Sequence, residues 1–407
     1  MMVKIQVVNK RGVNRMLEIK EFMKNVEKDL IDFCQNLVRI KSFTGREEEV
    51  SRYMEKKMIE LGYDEVIVDG LGSVIGRMGT GDKKLLFDSH IDTVAVDDEK
   101  DWSVDPFGGV IKDGKLFGRG SVDMKSAGAA SVYAGYIAKE LGLLEGKTIY
   151  VSTSVMEEDY DGEALLYEFE NLGIKPDYAV ICEATQCRLA IGQRGRALMK
   201  IDMEGVSAHG SAPEKGVNAV YKMVEIINRI EDLEKKYINM AGKIGEKPSI
   251  ALTKIECETA SYNAIPSKST VYVDRRLIKG ETYEIVENEM NEIVEGTGAT
   301  WEIFKVIGKS WTGEEVVLNS FMPFWDISLE HGLTKAAFKA YEDGNERKPE
   351  LMMWDFSTNG VATDKLNIPT IGFGPGDSKM AHVKDEHCPI DDIVKACEFY
   401  TNLIKNI

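Results

Sequence analysis

The sequence predicts an α/β fold: a mixed, mostly parallel sheet flanked by helices, with a ferredoxin-like α+β unit inserted into it. Two observations carry this. Between residues 65 and 182 short apolar runs alternate with helix-like stretches, the pattern of strands joined by crossover helices. Between residues 197 and 306 the order becomes β-α-β-β-α-β, a complete small unit in itself. The chain therefore divides into an N-terminal arm (1–16), a main unit (17–192 plus 308–407) and an insert (193–307).

Residues 17–40 place Ile19, Phe22, Met23, Val26, Leu30, Phe33 and Leu37 three and four apart, the period of an amphipathic helix. A second helix is expected from Thr44, whose hydroxyl would cap it while Glu47 reaches back as a capping box. Strands follow at 65–68, 73–78 and 84–88. Asp113-Gly114 supplies the positive φ values of a tight hairpin turn within 107–117. The small residues of 126–138 suit a closely packed helix, followed by a strand at 148–155, a helix at 163–171 and a strand at 178–182. In the insert, strands are expected at 197–203, 249–257, 270–277 and 300–306, and helices at 217–233 and 283–294. The main unit resumes near Trp311 with a helix at 327–341, a strand at 370–372 and a closing helix at 391–404.

With 407 residues, 43% of them hydrophobic, the chain can bury a substantial core. A net charge of −17 repels phosphates and anionic membranes, so neither nucleic acid nor membrane is an expected partner; a small molecule is. The six cysteines form no CxxC pair, which argues for reduced thiols in the cytoplasm rather than a disulfide framework. The basic first residues lack an apolar stretch followed by a small-residue cleavage site, so no signal peptide is expected, and no apolar run is long enough to span a bilayer.

Residues that carry chemistry gather at the expected strand ends. In Asp88-Ser89-His90-Ile91-Asp92 the histidine and the second aspartate share a strand face, so one can bind a metal while the other orients its ring. Asp123 follows a glycine-rich turn, Glu157-Glu158 and Glu183 follow apolar strands, and His382 lies on a late loop. Charges placed there without compensation would be costly. Two histidines and three carboxylates suit a pair of borderline divalent ions, zinc first, because imidazole favours it over magnesium or calcium.

The segments Ser89-His90-Ile91-Asp92, Gly118-Arg119-Gly120-Ser121-Val122-Asp123-Met124-Lys125, Glu157-Glu158, Cys182-Glu183 and Ala381-His382 resemble the signature blocks of the di-zinc aminoacylase and carboxypeptidase G family of metallopeptidases. That family includes acetylornithine deacetylases, succinyl-diaminopimelate desuccinylases and dipeptidases. Residues 86–94 and 385–389 are similar, more narrowly, to its selenium-metabolism-linked hydrolase branch. The resemblance implies a zinc-peptidase-like main unit holding two Zn2+ per subunit, with Co2+ or Mn2+ also accepted. His90 and Glu183 would bind one ion, Glu158 and His382 the other, and Asp123 both. Asp92 would support His90, and Glu157 would be the general base and acid acting on a metal-bridging water.

For the insert, the resemblance implies a dimerisation and lid role. His209, in Gly205-Val206-Ser207-Ala208-His209-Gly210, would reach across a homodimer to polarise the substrate carbonyl, although a lone histidine on such a loop is otherwise a surface residue. Asn263 and Arg276 match positions that bind the substrate's carboxylate, and a guanidinium suits bidentate recognition. For Arg275 and Arg276 the alternative is one salt bridge inside the strand, with Asp274 as a candidate acceptor. Ser357-Thr358-Asn359-Gly360 and the loop around Gly374 resemble substrate-contacting loops, where glycine lets backbone amides approach a ligand. Lys279 stands where the family usually has proline. The expected activity is hydrolysis of an amide in a small carboxylate-bearing molecule, an N-acyl amino acid or a dipeptide. N-carbamoyl or ureido hydrolysis is the second enzymatic reading, and a catalytically silent, metal-bound dimeric binding protein the reading from another class.

Overall fold

The computed structural model describes residues 11–242, 247–345 and 347–407. The apolar runs of the main unit fold into a nine-stranded mixed sheet. Its centre is parallel: Lys147–Ser154, Lys83–His90, Tyr178–Ile181 and Thr370–Gly372 lie side by side and run the same way. Antiparallel strands flank them, Val74–Gly79 and Glu65–Val68 on one side, Leu189–Gln193 and Trp325–Asp326 on the other. Because the central strands are parallel, their C-terminal ends open on one edge of the sheet. The loops leaving that edge carry Asp92, Glu157, Glu183 and His382.

Helices bury both faces, as a parallel centre requires. Arg11–Arg39, Glu48–Glu60, Lys125–Glu140, Gly332–Asn345 and Ile390–Asn406 cover one face. Glu163–Asn171 and Gly360–Lys365 pack on the other, around Trp325 and Trp354. The small residues of Lys125–Glu140 let it lie close to the sheet: a Cβ on Gly128 would stand 2.9 Å from Ser89 Oγ. Asp123 precedes this helix and is thereby drawn toward the strand ends.

The first helix begins at Arg11, so the last residues of the expected arm belong to it; no proline intervenes and arginine is a good helix former. Residues 1–10 of that arm lie outside the described residues. The second helix starts at Glu48, not Thr44. The capping box is absent because both partners face elsewhere: the Thr44 hydroxyl donates to Asp92 Oδ2 (2.8 Å), and Glu47 Oε1 accepts from the N–H groups of Gly45 (2.8 Å) and Met156 (3.2 Å). The Asp113-Gly114 turn forms as expected, with φ values of 51° and 70°.

A second, five-stranded antiparallel sheet is built from Gly195–Glu204, Ser249–Glu258, Lys268–Leu277, Thr300–Ile303 and Phe321–Met322. Helices Ala219–Ile238 and Tyr283–Val294 pack on it around Met199, Ile201, Met223, Ile226, Val271 and Met290. The first four strands take the ferredoxin-like order, with the first strand between the third and the fourth. The expected strand at 300–306 is split at Phe304: Lys305–Lys309 pairs instead with Glu315–Asn319, a hairpin whose Val316 and Leu318 join the core of the large sheet. Phe321–Met322 then returns to the small sheet. The passage between the two sheets is therefore not a single cut at residue 307.

Candidate metal centre

Lys83–His90 ends on His90, which is almost fully buried. Its Nδ1 hydrogen-bonds the Asp92 carbonyl at 3.0 Å, with Asp92 Oδ1 at 3.4 Å. The Asp92 carboxylate does a second job. Its oxygens accept from the N–H groups of Glu157 (3.0 Å) and Glu158 (3.1 Å), so the residue that orients the ring also holds the backbone of the glutamate pair.

The other nitrogen, His90 Nε2, faces three carboxylates: Asp123 Oδ1 at 2.9 Å, Glu183 Oε1 at 3.6 Å and Glu157 Oε2 at 3.7 Å. Asp123 Oδ2 lies 3.1 Å from His382 Nε2, which is in turn 2.9 Å from Glu158 Oε2. Asp123 therefore stands between two imidazoles, each with a further glutamate. Donor atoms of His90, Asp123 and Glu158 lie within 4.8 Å of one another, as do those of His90, Glu157 and Glu183. Ligands about 2.0–2.2 Å from one tetrahedral ion stand roughly 3.3–3.6 Å apart, so these spacings suit metal binding.

Electrostatics point the same way. Burial drives the carboxyls of Glu157 and Glu183 well above their ordinary range, and neighbouring carboxylates add to the rise; Glu158, buried beside Asp123, is pushed up to about 7. Burial also opposes ionisation of Asp123, but hydrogen bonds from His382 and His90 outweigh it and hold that carboxyl low. The protein alone thus assembles more negative charge than its two imidazoles balance. Divalent cations would supply the missing charge, and the donor set of imidazole and carboxylate fits them.

The approach to Asp123 is fixed by a pair that the sequence reading did not single out. Buried Glu386 accepts from Arg119 Nη1 at 2.6 Å and from the N–H groups of Val122 (2.9 Å) and Asp123 (3.2 Å). Gly120, at φ 84°, allows the turn between Arg119 and Asp123; a Cβ there would stand 2.8 Å from Thr93.

These residues open on a cavity of about 290 Å³, lined by Asp123, Glu157, Glu158, Glu183 and His382 at one end and by Asp161, Arg196, Arg276, Phe356 and Ser357 elsewhere. His382 is half exposed and stands at the rim. Arg276 thus meets both readings of the sequence: its Nε donates to Asp274 Oδ1 at 2.7 Å, and it also faces the cavity. Its neighbour Arg275 points into the small unit and pairs with Glu281 and Glu289.

Other expected site residues lie apart. His209 and Asn263 sit on neighbouring exposed loops of the small unit, outside the cavity lining, where His209 bridges to Ala264 and its Nδ1 meets the Ser211 hydroxyl at 2.7 Å. Gly374 is behind the site rather than in it. A Cβ there would be 2.3 Å from the carbonyl oxygens of Cys182 and Glu183, and its own N–H donates to Thr185 Oγ1, so its amide is not free for a ligand. Thr358 and Asn359 are likewise structural: Asn359 Nδ2 donates to Asp88 and Ser154, leaving only Ser357 of that loop on the cavity. Lys279, in place of the proline, donates to Asp326 Oδ2 at 2.5 Å and so ties the small sheet's loop to the large sheet.

Residues 86–406 match the model of peptidase family M20/M25/M40. The chain belongs to that family. The Escherichia coli K12 protein YgeY, described only as uncharacterized, is 35% identical over 94% of this chain and 95% of its own. A Wolbachia succinyl-diaminopimelate desuccinylase is 26% identical over 93% of each chain. The M20 metallo-carboxypeptidase Sso-CP2 of Sulfolobus solfataricus shares the fold, with a TM-score of 0.72 at 18% identity over 93% of this chain and 98% of its own. As an M20 member the chain is a metallohydrolase acting on amide or peptide bonds.

Within this M20 site, Arg196 and Asp161 also escaped the sequence reading. The alternation Arg196, Leu198, Lys200 against buried Ala197, Met199 and Ile201 could have put Arg196 on the face away from the small core. Nothing local says that this face meets the cavity. No helix among the described residues is long and apolar enough to cross a membrane.

Proposed function

We propose that this M20 member is a homodimeric, zinc-dependent hydrolase that cleaves an amide in a small molecule bearing a free carboxylate, as in N-acyl amino acids or dipeptides. The observation that carries the reading is Asp123 placed between two imidazoles, each with a further glutamate, beside one more carboxylate, Glu157. His90 and Glu183 would hold one ion and Glu158 and His382 the other, with Asp123 contributing an oxygen to each. When bound, the metals supply positive charge that polarises the amide carbonyl and acidifies water.

Glu157 is then free to take a proton. Water adds to the carbonyl carbon as Glu157 accepts its proton; the C–N bond breaks as Glu157 returns that proton to the departing nitrogen, giving a carboxylic acid and an amine. Arg276 holds the substrate's carboxylate and so sets the amide over the metals. His209 of a second copy, with Asn263, completes the far side and donates to the carbonyl oxygen as it gains charge. Exposed Val206, Val217, Tyr221 and Tyr262 surround that part of the insert and favour a contact there. The division into a catalytic main unit and a dimerising insert belongs to the same proposal, as does a cytoplasmic location, which the unpaired cysteines favour.

The test is amine release from a panel of N-acyl amino acids, dipeptides and N-carbamoyl amino acids, with and without chelator. Chelator-sensitive cleavage of the first two supports the proposal; cleavage of carbamoyl compounds alone would redirect it to ureido hydrolysis. No turnover on any of them would indicate a silent binding protein.

A further inference from the structure

Residues 42–47 supply no group to the metal centre, yet they close around two segments that do. The Thr93 N–H donates to the Ser42 carbonyl (2.8 Å) and the Ser42 hydroxyl donates to the Ile91 carbonyl (2.7 Å), so this loop lies along the chain that leaves His90. On its other side Gly45, at φ 77°, lies against the 305–319 hairpin, where a Cβ would stand 2.9 Å from the Lys309 carbonyl oxygen. The loop is therefore held between two fixed neighbours.

From there Thr44 and Glu47 reach the glutamate pair. Asp92 accepts the Glu157 N–H through Oδ1 (3.0 Å), and through Oδ2 it accepts both the Glu158 N–H (3.1 Å) and the Thr44 hydroxyl (2.8 Å). Thr44 thus fixes the rotation of the carboxylate that carries both amides. Glu47 is fully buried, and its Oε1 accepts from the N–H groups of Gly45 (2.8 Å) and Met156 (3.2 Å). Met156 immediately precedes the pair and has φ 62°, in the left-handed region that a residue with a side chain disfavours. Three successive N–H groups, of Met156, Glu157 and Glu158, end on the side-chain carboxylates of Glu47 and Asp92 rather than on a strand ladder. The turn that presents Glu157 depends on those two acids for its shape.

We propose that Glu47 and Thr44 are positioning residues for the glutamate pair: Glu47 holds Met156 in its left-handed turn, Thr44 holds Asp92, and together they set where the Glu157 carboxylate stands relative to His90 and Asp123. What that placement serves rests on the hydrolase reading above; the placement itself does not.

The experiment compares Glu47→Ala with Glu47→Gln, which keeps an oxygen for the two N–H groups, and with Thr44→Val. On the amide of the panel above that wild type cuts, zinc-loaded E47A should lose about ten- to a hundredfold in kcat with KM little changed, the cost of displacing a reacting group by about 1 Å. E47Q should retain most of the activity. T44V, which leaves Asp92 its two backbone donors, should lose about two- to tenfold. Hydrogen exchange of the metal-free protein, read by mass spectrometry, needs no turnover. The peptide spanning 155–160 should exchange about tenfold faster in E47A and faster in T44V, but not in E47Q, while strands Lys83–His90 and Lys147–Ser154 keep their wild-type rates. Should E47A fail to fold, half-buried Thr44 carries the same test. If wild type cuts no amide and the exchange pattern still holds, the hydrolase reading fails and this inference stands. Wild-type exchange of 155–160 in E47A and T44V, a loss in E47Q equal to that in E47A, or lower thermal stability with kcat unchanged overturns it.

Discussion

The large sheet brings His90, Asp123, Glu157, Glu158, Glu183 and His382 together within one chain, whereas the small sheet, among the described residues, brings Arg196 and Arg276 to the same cavity and leaves His209 and Asn263 on exposed loops. The difference is one of support. Each large-sheet group follows a buried parallel strand or is held by a buried partner: Asp92 orients His90 and the glutamates, and Glu386 anchors Asp123. Among the described residues the His209 ring meets Ser211, and its backbone is held by Ala212 and the bridge to Ala264. A metal site needs such pre-organisation, because its donors must hold their geometry against mutual repulsion. On the proposed reading, the loop of His209 would gain its remaining support from the second copy.

The comparison predicts unequal effects. Replacing Glu157 with Gln should lower turnover by about 10²–10⁴-fold, the usual worth of a general base, while leaving metal content at the wild-type level. A variant with full activity would remove Glu157 from the chemistry. His209→Gln should cost about 10²–10³-fold, the worth of one oxyanion donor. Mixing E157Q and H209Q chains under conditions that exchange subunits should then restore about a quarter of wild-type activity, since half of random pairs carry one intact composite site. No recovery in verified mixed dimers would place His209 outside the partner's site.

The smallest effect concerns stability. In the metal-free chain Glu158 titrates at about 7, raised by burial and Asp123, and Glu47 at about 8, raised by burial and Asp92. Buried Glu386 likewise rises to about 7. Acids with raised folded pKa values keep protons that the unfolded chain releases above its ordinary carboxyl range, near pH 4.5. Their folded form is therefore penalised progressively as pH rises from about 5 to 8, by at most about 1.4 kcal/mol per unit for each group. Thermal melts of metal-free protein should show lower stability at pH 8 than at pH 6, and divalent cation should flatten the trend. A rising stability over that interval would contradict this account.

Much of this was legible in the sequence because it rests on local pattern. The parallel alternation, the ferredoxin-like order and the Asp113-Gly114 turn follow from periodicity and turn chemistry; His90, Glu157, Glu158 and Glu183 stood at expected strand ends, while the family resemblance joined Asp123 and His382 to them. What escaped depends on contacts between distant segments. The Thr44–Glu47 pattern reads as a capping box, yet Asp92, 48 residues from Thr44, wins its hydroxyl. Gly374 looked like a ligand-contacting glycine, but its missing Cβ makes room for the backbone of Glu183. Glu386 lies more than 260 residues beyond Arg119 and Asp123, and no spacing rule links them. The cavity-facing role of Arg196 likewise depends on how the two sheets meet.

The most direct test counts metal ions. Metal-stripped protein titrated with Zn2+ and analysed for bound metal should take up two ions per chain, and Asp123→Ala, which removes the oxygens shared by both imidazoles, should weaken both while the fold is retained by circular dichroism. Uptake of one ion or none by the wild type, or two ions bound undiminished by D123A, would contradict a centre built around Asp123.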